Sequence, residues 1–246
     1  KPQEKEILSV ALYGKAKALN EKGQTDQAVA ALKAISDAGF NGFSKVDLDD
    51  SMAKLRATPQ FKAAHQADDA QRLIQAREKV KGRLAPPLET GFTFTLDDLD
   101  GKKVSLADFK GQVVLVDYWG TWCGPCRQAI PFLIGLYRRQ HPHGLEIVGL
   151  TYERDATSES QAIDMIKKFI KEASLPYRCL LGDEKTVRQI PGWKGFPTSV
   201  LVDRAGKVRL LITENDTETP ELIDNAVRVL LAEPAPKPEP APSKKK

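Results

Sequence analysis

With only three cysteines in 246 residues, the chain cannot be a disulfide-stapled scaffold, which needs several bridges to replace a hydrophobic core. Long apolar runs are missing as well. Stretches such as Val113–Val116 are short, far below the ~18 residues that a membrane-spanning helix requires. Charge of one sign is scarce: 37 Lys and Arg against 33 Asp and Glu leave a net +4. The excess sits at the two ends. Residues 1–85 carry 15 basic and 11 acidic side chains, residues 86–232 carry 18 and 20, and residues 233–246 carry 4 and 2. No concentrated basic patch remains to serve as a nucleic-acid footprint. What is present is a 41% apolar content, enough for a real core, in a length that fits one or two domains. No signal peptide is visible, but the first residue is Lys1 rather than Met. The expectation is that an original start has been removed, and that a membrane anchor could come only from such a segment.

Residues 1–84 read as helical. Ile7, Leu8, Ala11, Leu12, Ala16 and Leu19 recur at helical spacing, Gly23 interrupts, and Asp26 stands as an N-cap before Ala28, Val29, Leu32 and Ile35. Gly39 and Gly42 are expected to end that helix, with further helices over Leu48–Leu55 and Pro59–Val80. Two prolines, Pro86 and Pro87, mark residues 85–90 as a linker. Residues 91–232 alternate strands and helices, which implies a sheet flanked by helices. Strands are expected at Phe92–Thr95, Val104–Leu106, Val113–Trp119, Leu145–Thr151, Arg178–Leu181, Thr198–Val202 and Val208–Ile212. Helices are expected at Cys126–Arg139, Ser158–Ala173 and Pro220–Leu231. The last fourteen residues hold five prolines and four lysines and read as a disordered tail.

The strongest chemical signal is Trp119-Gly120-Thr121-Trp122-Cys123-Gly124-Pro125-Cys126, directly after a buried strand and directly before a helix. The thiolate, not the thiol, is the nucleophile. At a helix N-terminus it gains from the helix dipole and from free backbone N–H groups. Cys123 stands there, and Cys126 lies one turn on, where it can attack a mixed disulfide formed at Cys123. Pro125 suits the first helical turn, where its missing N–H is tolerated. A bare Cys-x-x-Cys is also half of a zinc site, but the remaining donors (Cys179, His65, His141 and His143) do not form a second pair with ligand spacing, so no metal is expected. Cys179, beside Leu180 and Leu181, reads as a buried free thiol acting as a small hydrophobe.

Residues 91–232 resemble the thioredoxin superfamily, specifically its TlpA/ResA-like, redoxin-type thiol–disulfide oxidoreductases. The resemblance rests on Cys123-Gly124-Pro125-Cys126 with the preceding Trp119-Gly120-Thr121-Trp122, and on Pro131 five residues after Cys126. Gly195-Phe196-Pro197-Thr198 and a hairpin segment from Leu99-Asp100-Gly101 to Phe109-Lys110-Gly111 extend it. It implies an α/β thioredoxin fold, a central mixed sheet flanked by helices, preceded here by a small all-α domain. It also implies that Cys123 attacks, that Cys126 resolves, and that no cofactor is needed beyond this cysteine pair. Pro197 would be a cis-proline that shields the cysteines from metal and presents the Phe196 backbone to substrate. Asp117 would move the resolving cysteine's proton, and Glu153 would be a second active-site acid. Trp122, Gly124, Pro125, Phe196 and Trp193 become candidate substrate contacts.

The implied partners are a protein disulfide substrate and an upstream thiol donor, with an extracytoplasmic location and the cytoplasm as the alternative. Gly-Pro between the cysteines favours reduction over oxidation or isomerisation. A thiol peroxidase, with Thr121 and Arg127 beside the cysteine, and an interaction protein acting through its helical region are the other readings. That region weakly resembles one tetratricopeptide-type helix pair, through Ala16, Gly23, Ala28 and Leu32, and could hold a protein partner.

Overall fold

The structure, a computed structural model, describes residues 2–47, 49–84, 86, 91–213 and 219–234. The expected linker and tail therefore lie outside the described residues, except Pro86, Glu233 and Pro234. The chain divides into two compact units, Lys1–Gln75 and Ala76–Lys246.

The first unit is helical: α1 (Pro2–Glu21), α2 (Thr25–Asp37), α3 (Gly42–Asp47), α4 (Ala53–Ala57) and α5 (Pro59–Lys79), whose last residues belong to the second unit. Gly23, at φ +72°, makes the turn between α1 and α2. Ala16, Ala28, Leu32 and Ile35 are fully buried, and Phe43, Val46, Met52, Leu55 and Phe61 complete the core. Three expectations change. Asp26 lies inside the first turn of α2, and Gln24 occupies the N-cap without a side-chain bond. Gly42 does not end a helix; it begins α3, and its lack of a side chain lets the backbone approach Leu32, whose carbonyl oxygen would lie 2.5 Å from a Cβ. Leu48 lies outside the described residues, and the rest of the expected Leu48–Leu55 helix is a 3-10 turn, Asp50–Met52, followed by α4. Asp49 caps that turn, accepting from Ser51 N at 3.0 Å, from the Tyr13 hydroxyl at 3.0 Å and from Lys17 at 3.1 Å.

In the second unit, a hairpin of β1 (Thr95–Asp97) and β2 (Lys103–Ser105) precedes a five-stranded sheet. The sheet contains β3 (Val113–Trp119), β4 (Leu145–Thr151), β5 (Arg178–Leu181), β6 (Thr198–Val202) and β7 (Val208–Thr213), in the order β5-β4-β3-β6-β7. β3 runs parallel to β4 and antiparallel to β6, so the sheet is mixed, as expected. Every residue of β3 is buried, which explains its near-continuous apolar run, broken only by Asp117. The helices are α6 (Gly124–Gln140), α7 (Glu159–Ala173), the short α8 (Glu184–Arg188) and α9 (Thr219–Ala232).

The crossovers β3-α6-β4 and β4-α7-β5 step the same way across the sheet, so right-handed connection places α6 and α7 on one face. Phe169 of α7 accordingly meets Trp119, at 5.2 Å between ring centroids. The opposite face carries Val114, Val116, Tyr118, Val148 and Leu150, packed with Leu96, Val104 and Phe109 of the hairpin segment and with Val187 of α8. Phe92 and Phe94 are buried in that layer without belonging to a strand, so β1 starts three residues later than the apolar residues imply. Among the described residues no helix is long and apolar enough to cross a membrane.

Replacing Gly42 by Ala is expected to destabilise the helical unit by about 1–3 kcal/mol, because backbone must move to admit the methyl group. Urea denaturation of the full chain followed by far-UV circular dichroism measures this.

Candidate active site

β3 delivers the chain from the sheet interior to the surface, and four residues later α6 begins. Cys123 is the N-cap of α6, in extended conformation at φ −81° and ψ 103°. Its Sγ accepts the Cys126 backbone N–H at 3.2 Å. One of the helix's orphan donors is thereby aimed at the first sulfur and not at the second. Pro125 sits in the first turn, where it removes no helical bond. The two sulfurs are bonded to each other, with Cα atoms 5.3 Å apart. Pro131 lies inside α6, and lacks the N–H that would bond to the Arg127 carbonyl one turn back. The Phe196–Pro197 bond is cis.

On the α6 face, Asp117 is buried, and among the described residues its one hydrogen bond comes from the Ser199 hydroxyl at 3.1 Å. Burial pushes its carboxyl from the ordinary 3.8 up to about 7, and the Ser199 bond acts in the opposite direction. Asp117, Pro125, Pro197 and Ser199 line one cavity of about 280 Å3, beside Leu133 and Ile223. Sheet register sets Ser199, Asp117, Gly149 and Cys179 in one row across four strands. Gly149 leaves room above it for the Trp119 indole and the Cys179 thiol. A Cβ there would come within 2.6 Å of Trp119 Nε1 and 3.2 Å of Cys179 Sγ. Cys179 is buried and free, as its apolar neighbours imply, and burial pushes its thiol up, so it stays protonated.

The other flank of the cysteine pair is aromatic. Trp122 is held by its indole N–H, which donates to the Tyr152 carbonyl at 2.6 Å, and by the edge of Phe196 at 5.5 Å. Trp193 packs on Phe196 at 5.1 Å and on Tyr118 at 5.4 Å. The Arg154 guanidinium covers Trp122, 3.7 Å from the ring centroid. Glu153 is not a solvated loop acid. It takes the Thr121 N–H at 2.9 Å and the Thr121 hydroxyl at 2.6 Å, tying the cysteine loop to the end of β4. Thr121 is thereby engaged, and Arg127 lies over the Phe169 ring at 5.7 Å, so neither is arranged around Cys123 as peroxide chemistry would require. Gly120 is needed for this packing: a Cβ would stand 2.5 Å from Trp122 Nε1 and 2.6 Å from the Tyr152 carbonyl.

The structure therefore places Asp117, Pro125 and Pro197 around one cavity, and Trp122, Phe196 and Trp193 in one aromatic group linked to Glu153 through Tyr152 and Thr121. Gly124 opens α6 with nothing near the position of a Cβ. Sequence reasoning missed Ser199, Tyr152 and Arg154. The last two follow a parallel strand at its carboxyl end, where sites in such sheets gather, and could have been flagged on that ground.

Two measurements test the Asp117 environment. Because its folded pKa is raised to about 7, the unfolded chain loses this proton near pH 4 while the folded chain keeps it. Stability should fall as pH rises from about 4 to 7 and level off above that, by on the order of 4 kcal/mol in all. Asp117→Asn should remove this slope in denaturation curves recorded at pH 4, 6 and 8. Ser199→Ala removes the one donor to the carboxylate and should move the Asp117 titration further upward, read by carbon-13 NMR of the carboxyl.

Comparison with known proteins agrees with this geometry. The redoxin family model matches residues 81–230. The thiol-disulfide oxidoreductase ResA of Bacillus thuringiensis subsp. konkukian is 36% identical over 115 residues, covering 47% of this chain and 62% of the relative. The ResA of Bacillus anthracis is 34% identical over 133 residues, 54% of this chain and 69% of the relative. The match to the first of these spans less than two thirds of its length. Among solved structures, a thiol:disulfide interchange protein of the thioredoxin family from Chlorobium tepidum superposes with a TM-score of 0.50 at 26% identity, covering 60% of this chain and 98% of that one. The sheet is that of a thioredoxin fold, Cys123 and Cys126 form a disulfide at the start of α6, and the chain belongs to the redoxin family.

Proposed function

We propose that the protein is a thiol–disulfide oxidoreductase that reduces disulfides in protein substrates. The observation that carries the reading is the asymmetry at the start of α6: Cys123 caps the helix and takes the Cys126 N–H, so it is the sulfur best placed to exist as a thiolate. In the reduced protein, the Cys123 thiolate attacks one sulfur of a substrate disulfide. One substrate sulfur leaves as a thiolate and takes up a proton, and a mixed disulfide joins Cys123 to the other. Asp117, as carboxylate, accepts the Cys126 thiol proton, and the Cys126 sulfur then attacks Cys123. The second substrate thiol is released and the Cys123–Cys126 disulfide remains, so the substrate gains the two electrons that the cysteine pair loses. A thiol donor returns the pair to the dithiol.

Trp122 adjoins Cys123 in sequence and packs on Phe196, which precedes the cis Pro197, and the three line the surface that the substrate meets in this reading; Trp193 supports Phe196. Glu153 is a positioning residue for the loop, through its two bonds to Thr121. The redoxin-type hairpin ahead of the core supports an extracytoplasmic location. For the helical region, residues 1–84, a protein partner is the reading. Its separate core and the exposed Ile7 and Val10 on α1 support that role.

Insulin reduction driven by dithiothreitol tests the activity. Cys123→Ser should abolish it, whereas Cys126→Ser should trap a mixed disulfide that migrates as a covalent adduct on non-reducing gels. Tryptophan fluorescence in defined thiol buffers gives the direction. A midpoint near about −250 mV or lower supports reduction, and one near about −180 to −120 mV replaces it with oxidation or isomerisation.

A further inference from the structure

We infer that the groove beside the cysteine pair is a substrate subsite in which Arg154 selects disulfides flanked by an acidic residue. The inference rests on the oxidoreductase reading and adds a substrate class to it. The groove, about 470 Å3, has an apolar floor of Tyr152, Trp193 and Phe196. Four charged side chains line it: Glu153, Arg154, Glu184 and Arg188. Three of them are engaged. Arg188 and Glu184 pair with each other at 2.7 Å, and both oxygens of Glu153 are taken by Thr121. Arg154 has no carboxylate partner among the described residues, yet it is held in place, stacked 3.7 Å from the Trp122 ring centroid and 5.9 Å from that of Phe196. A guanidinium lying on a ring uses its face and leaves its N–H edge free, which is the edge that binds a carboxylate.

The placement of this cation matters as much as its freedom. Trp122 is the residue before Cys123, and Phe196 the residue before Pro197. Both rings are fixed, Trp122 by its bond to the Tyr152 carbonyl and Phe196 by Trp193. The charge is therefore fastened to the two segments between which a substrate cysteine would enter. The ligand that matches is an extended protein segment with an Asp or Glu close to its disulfide cysteine and an aromatic or large apolar side chain for the floor. An exposed pair of this kind is worth a modest factor, about two- to five-fold in kcat/KM, expressed through KM.

The test uses the full chain, reduced, in single-turnover exchange with two oxidised peptides. They share one sequence, one disulfide and a Phe, and differ only in Glu or Lys beside the attacked cysteine. Tryptophan fluorescence reports the rate. The Glu peptide is expected to react two- to five-fold faster at low salt, with the advantage shrinking as ionic strength rises. Arg154→Gln should bring the ratio of the two peptides to one, Arg154→Lys should keep part of it, and Arg154→Glu should invert it. Equal rates for both peptides in the native protein, or a ratio unchanged by Arg154→Glu, overturn the subsite. No exchange with either peptide or with insulin overturns the oxidoreductase reading, and the subsite with it.

Discussion

A strand sealed from water on every side, ending four residues short of a helix, constrains everything else at the site. Val113 to Trp119 cannot shift register without carrying apolar side chains out of the core, because β4 and β6 bond to it on either edge. The end of β3 is therefore a fixed point, and so is the start of α6. Cys123 becomes the cap of that helix because the chain has only Gly120 to Trp122 in which to turn. The tie from Glu153 to Thr121 and the bond from Trp122 to the Tyr152 carbonyl hold the turn. Both anchors come from the end of β4, the parallel neighbour, so the sheet that fixes the strand also fixes the loop.

The same strand gives the cysteine pair two different flanks. Side chains alternate along it, so Asp117 faces α6 while Tyr118 faces the hairpin layer. On the first flank a carboxyl is kept in an apolar interior with one hydroxyl for company, and its proton is held up to about neutral pH. On the second, Tyr118, Tyr152, Trp193, Phe196 and Trp122 pack ring against ring and carry Arg154 at the surface. The buried carboxyl and the surface cation are thus separated by the thickness of one strand. Each has its own dielectric: low around the buried carboxyl, higher around the cation at the surface.

The sequence by itself determined most of the second unit. Period-two and buried-run patterns marked β3 to β7 to within a residue, since strands packed on both faces leave little freedom in composition. The Cys-Gly-Pro-Cys signature, Pro197 and Asp117 were legible because each must stand at a fixed place in the motif. Weakly patterned segments were less legible. In the helical unit, Gly42 reads as a helix end yet opens α3, because what that position needs is room against the Leu32 carbonyl. Phe92 and Phe94 read as strand because they are buried, although β1 begins only at Thr95.

Only the tertiary structure decided the pairings between distant segments. Ser199 lies 82 residues from Asp117, and their bond exists because β6 pairs with β3 in one particular register. Glu153 is expected as an active-site acid only through the family resemblance, and its bonds to Thr121 form only when β4 brings the two together. Arg154 carries no local signal beyond its position after a parallel strand; its place over Trp122 follows from the ends of two parallel strands lying side by side. Local pattern specifies which segments are buried and where a motif must fall. Which side chains then share a charge or a proton depends on sheet register, an energy summed over the whole core that no single segment contains.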